Sequence, residues 1–113
     1  MKTIYLSEYK TAGDMVVNPD YAIRARNEIE EELRGGGSVT ISFRDSGRVI
    51  AAFLKIMLGD LYAPEKGLAD KADQIMVADA EPVREQQVAE IKKYSRMYYE
   101  DPALLDKILE EDC

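Results

Sequence analysis

The chain has 113 residues, with 15 Lys and Arg against 22 Asp and Glu, no His, no Trp and a single Cys at its end. These counts exclude a disulfide framework and every mechanism that needs a histidine base, and leave zinc, haem or iron–sulfur ligation only Cys113. A net charge of −7 also argues against direct nucleic-acid binding, which rests on Lys and Arg neutralising phosphates.

The length suits one domain over residues 1–113, and an apolar share of 46% suits a real core. Met1-Lys2-Thr3-Ile4 lacks the apolar region of a secretory signal. Val49 to Leu61 is too short for a bilayer and carries Lys55 and Asp60. The expected location is therefore cytoplasmic, away from membranes.

Thr3 to Leu6 and Met15 to Val17 are short strand candidates around a turn at Ala12-Gly13. Pro19 to Arg34 reads as the first long helix. Ala22, Ala25, Ile29 and Leu33 recur at three and four residues and form one face. Asn18 is a good N-cap, and Gly35-Gly36-Gly37 ends the helix. The run Glu28, Glu30, Glu31, Glu32 reads as a solvated helix face, since it lacks calcium-loop spacing. The glycines follow a helix and open a strand, so they do not form a phosphate loop.

Ser38 to Phe43 alternates strictly, with Val39, Ile41 and Phe43 on one side and Ser38, Thr40 and Ser42 on the wetter one. Asp45-Ser46-Gly47 follows as a turn. Arg48 to Tyr62 reads as the second helix, and its apolar residues exceed a single stripe. It is either buried on two sides or offers its second side to a partner. Ala63 to Asp73 reads as a surface loop with about one turn of helix. Gln74 to Ala78 reads as a strand buried on both faces.

Pro82 to Glu100 reads as a third helix with Val83, Val88, Ile91, Tyr94 and Tyr98 on or near its inner face, and with Tyr99 pointing elsewhere. Asp79 is a candidate cap for it. Asp101-Pro102 opens a short final helix. The order β-β-α-β-α-β-α-α predicts an α/β fold: a mixed, mostly parallel sheet of about four strands with about four helices. Cys113 stands beside Glu110, Glu111 and Asp112, which makes it a poor nucleophile.

One segment resembles a known family. Val39-Thr40-Ile41-Ser42-Phe43, then Ile50-Ala51-Ala52-Phe53-Leu54, then Gly59-Asp60-Leu61 is similar to the STAS-like domains, which are related to anti-sigma-factor antagonists. Their strand ends in Asp-Phe, their helix opens Ile-Thr-Ser-Ser-Phe-Leu, and it closes Gly-x-Leu. The earlier helix with Arg24 or Arg26, and the later strand and helix from Ile75 to Tyr99, are also similar.

The departures bear on function. Ser42 replaces the family Asp, and Ala51 and Ala52 replace the paired hydroxyl residues. In related antagonists a Ser at this helix start accepts phosphate, whose added charge breaks the partner complex. Two alanines cannot be phosphorylated. Asp45-Ser46-Gly47 also resembles the Asp-Ser-Ser-Gly segment of classical antagonists. Ser46 is thus either a cap or turn residue or a regulated phosphosite.

The resemblance implies a non-enzymatic regulatory module, with no cofactor, that binds a protein partner. A histidine-kinase-like ATPase or another regulator fits, and a homodimer is compatible. The partner surface expected from it comprises Arg44, Asp45, Ser46, Arg48, Ala51, Ala52 and Lys55. A second reading rests on charge. Residues 79–113 hold 10 acidic and 5 basic groups, whereas residues 35–78 hold 5 of each. An acidic inhibitor from a phage or mobile element, blocking a nucleic-acid-binding protein by charge mimicry, would have this character.

Overall fold

Val39 and Ile41, whose alternation marks a strand, form the centre of the molecule. The computed structural model describes residues 1–11 and 13–100. Its strands are β1 (Lys2–Tyr5), β2 (Met15–Val16), β3 (Val39–Ser42), β4 (Arg48–Val49) and β5 (Met76–Ala78). Its helices are α1 (Pro19–Arg34), α2 (Ala51–Gly59), α3 (Ala69–Asp73) and α4 (Pro82–Glu100). The expected final helix after Asp101 lies outside the described residues.

The main sheet is parallel and ordered β1-β3-β5, with β2 and β4 forming a separate parallel pair. Ile4 stands opposite Ile41, and Ile41 opposite Val77. That row faces the helices. The rows Thr3-Thr40-Met76 and Tyr5-Ser42-Ala78 face the other way by strict alternation. The crossovers step in one direction along the sheet, and α1 packs against α2; the right-handed rule for such crossovers places both helices on one side.

Helix α1 spans the expected residues. Asn18 Oδ1 accepts from the amides of Asp20 at 2.8 Å and Tyr21 at 3.4 Å. Pro19 follows at a position where its missing N–H costs nothing. Asn18→Ala should therefore cost about 1 kcal/mol. A thermal melt should show a midpoint lower by roughly 3–6 °C. An unchanged midpoint would mean that this cap contributes nothing.

Helix α2 is shorter than expected. It begins at Ala51, because Arg48 and Val49 pair with Met15 and Val16. The amides of Arg48 and Ile50 donate to the carbonyls of Asp14 and Val16, at 3.1 and 3.3 Å. This adds a fifth strand to the four expected. The helix is buried on two sides, against α1 and α4, through Phe53, Leu54, Met57 and Leu58. Its apolar excess is thus largely absorbed by the core.

Three other expectations are corrected. Residues 63–73 hold the expected turn of helix as α3, but they are more than a surface loop, because Leu68 and Ala72 are buried. Strand β5 is covered on one face only, leaving Met76 55% exposed. In α4 the buried stripe runs through Val88 and Ile91 and on to half-buried Tyr99. Val83, Tyr94 and Tyr98 are exposed.

Candidate functional site

The carboxyl end of β3 leads into a tightly held turn. The Phe43 amide donates to the Ala78 carbonyl at 3.0 Å, which anchors the strand end to β5. Ser46 N then donates back to Phe43 O at 3.2 Å. Between them Asp45 adopts φ +54°, a left-handed conformation that Asp tolerates better than most residues. Gly47 follows at φ +65° and crosses directly over Asp14.

Two serines stiffen this turn from within. Ser42 is only 1% exposed. Its hydroxyl donates to Asp79 Oδ2 at 3.1 Å and accepts from the Arg44 amide at 3.3 Å. Ser42 stands where the STAS-like pattern has an acid, and Asp79 reaches it from the end of the neighbouring strand. Ser46 is 6% exposed, with its hydroxyl 3.5 Å from the Gly47 carbonyl. Ser46 is a turn residue and not the cap of α2. Ile50 occupies the cap position and makes no side-chain cap bond.

The remaining expected site residues point outward. Arg44, Asp45, Arg48, Ala52 and Lys55 are exposed, and Ala51 is half-buried. The charges here differ from those elsewhere. Lys10, Arg26, Arg34, Lys66 and Arg96 all sit in ion pairs. Arg24 and Lys93 lie over the rings of Tyr21 and Tyr94. Lys71, Arg84 and Lys92 donate to oxygens. Among the described residues, the side chains of Arg44, Arg48 and Lys55 have no such partner, a property shared only by Lys2. Three unpaired cations thus fall within one twelve-residue stretch of an acidic protein.

A second feature, not foreseen from the sequence, is an open groove of about 700 Å³ between β5 and α4. Lys92 lines it and donates to the Ile75 carbonyl. Burial pushes the Lys92 ammonium below its ordinary range, and the nearby Asp73 carboxylate works against that shift. Arg96, at one end, is engaged by Asp70, Asp73 and Glu100. The groove depends on strand order, which no local pattern reports.

Among the described residues no group of three His, Cys, Asp or Glu side chains is placed to hold a metal ion. No helix among them is long and apolar enough to cross a membrane. No family model matches the chain, and no curated protein or solved structure matches it either.

Proposed function

We propose that the protein is a non-enzymatic regulatory module of the STAS-like kind, acting by docking to a protein partner. The observation that carries this reading is the cationic stretch Arg44, Arg48 and Lys55, without partners among the described residues, beside exposed Ala52. Exposed cations left without internal partners suit an acidic surface on another protein. The turn beneath them is held by Ser42, Ser46 and Gly47, so a partner meets preformed geometry and little ordering entropy is lost. A helical layer on one side of a small parallel sheet also agrees with the STAS-like reading.

Ala51 and Ala52 remove the hydroxyls that the family resemblance would make phosphoacceptors, and the Ser46 hydroxyl is buried. Binding in this copy is therefore constitutive with respect to phosphorylation at these positions. A histidine-kinase-like ATPase or another regulator is the kind of partner implied.

The test is a double charge reversal, Arg48→Glu with Lys55→Glu. Affinity for a captured and then purified partner should fall about tenfold or more, a loss of about 1.4 kcal/mol or more. The melting midpoint should stay unchanged, because both side chains are exposed and have no partner among the described residues. Wild-type affinity in this variant would refute the surface. Loss of binding on neutralising Glu81, Glu85 and Glu90 instead would favour charge mimicry.

A further inference from the structure

Strand β5 ends the sheet order β1-β3-β5, so among the described residues one of its edges has no neighbouring strand. The pairing phase identifies the groups on that edge. Ala78 O accepts from Phe43 N at the end of β3, just past Ser42, and backbone groups alternate sides along a strand. The N–H and C=O of Val77 therefore point away from β3. Ile75 O lies on the same edge and is already taken by Lys92. Val77 is thus the first open position.

The groove runs along this edge. Its wall on the helix side is Val88 and Ala89, and exposed Met76 borders it on the sheet side. Helix α4 follows β5 directly and forms the far wall, which leaves the groove between them. The residues that line the groove carry three cations, Lys92, Lys93 and Arg96, against two acids, Asp73 and Glu85. A free edge specifies an extended backbone, and the local charge specifies acidic side chains.

We infer that this groove binds an acidic peptide segment of another protein in extended form, which adds to β5 as a fourth strand. The backbone of Val77 provides the pairing, exposed Ala89 packs against one face of the ligand, and Lys93 meets its carboxylates. This is strand addition at a sheet edge, where main-chain bonds give affinity and side chains give selectivity. None of the groove residues belongs to the Arg44–Lys55 surface, so this inference does not depend on that reading.

The probe is an acetylated, amidated peptide of alternating Val and Glu, about six residues long, titrated into the full chain labelled with nitrogen-15. Saturating peptide should slow Val77 amide exchange about tenfold or more. N-methylation of the peptide amides on one alternate set should abolish binding, and methylation of the other set should spare it. Val77→Pro should remove binding, because it deletes an amide that β3 does not use. Lys93→Glu should weaken binding about tenfold.

The N-methyl pair decides the matter even where the proline variant fails to fold. Binding indifferent to both methylation patterns would be electrostatic adhesion and would overturn the inference. So would a Val77 amide already protected in the free chain, which would mean an edge already occupied. Edge pairing between two copies, seen as a doubled mass that the peptide does not dissociate, would overturn it as well.

Discussion

Replacing Gly47 with alanine is expected to cost about 3–4 kcal/mol, the sum of backbone strain and steric overlap. Gly47 sits at φ +65°, where a side chain is strained regardless of space. Space is also lacking, because a Cβ there would lie 2.2 Å from the Asp14 carbonyl oxygen. That contact is backbone and cannot swing aside. Relief requires separating β2 from β4, which breaks the bond from Arg48 N to Asp14 O. Urea titration should show the loss as a lower midpoint with an unchanged slope. A cost below about 1 kcal/mol would mean that the turn does not cross Asp14 closely. Because the same turn carries Arg44 and Arg48, partner binding should also fall under conditions where the variant is folded.

Phe53→Ala is expected to cost about 3–5 kcal/mol. Phe53 is 1% exposed and lies at the centre of the apolar cluster, with the Tyr9 ring 6.5 Å away, centroid to centroid. Its removal leaves a cavity between α2 and the segment before β2, where rigid secondary structure limits collapse. The contrast lies two residues further on. Lys55→Glu, on the exposed side of the same helix, should change stability by less than about 0.5 kcal/mol. If both substitutions had equal effects, the assignment of inner and outer faces to α2 would be wrong.

Helix α1 was legible because every signal for it is local: Asn18 and Pro19 at the start, a stripe of Ala22, Ala25, Ile29 and Leu33, and glycines at the end. Strand β3 was legible for the same reason, through its alternation. The start of α2 was not. Arg48 and Val49 are strand only because they pair with Met15 and Val16, far upstream, and apolar Val49 and Ile50 fit either state. The phase of α4 was misread because Tyr94 and Tyr98 form a plausible stripe, whereas Tyr99 is the tyrosine of α4 that packs against the core.

The candidate site divides in the same way. Arg44 to Lys55 stands out in the sequence as one continuous segment, singled out there only by resemblance. The feature that now supports it, cations without partners, required the tertiary positions of every acid around them. Burial of Ser46 depends on β4, so a cap and a buried turn residue looked alike in sequence. The groove beside β5 follows from strand order and from the absence of a neighbour on one edge, neither of which local spacing encodes.

The central claim is that partner docking uses the turn after β3 and the first turn of α2. Amide hydrogen exchange on the complex with a purified partner tests it most directly. Amides from Arg44 to Lys55 that exchange in the free chain should become protected, with little change across α1. Protection confined to residues 79–100, with the Arg44–Lys55 amides unchanged, would contradict it.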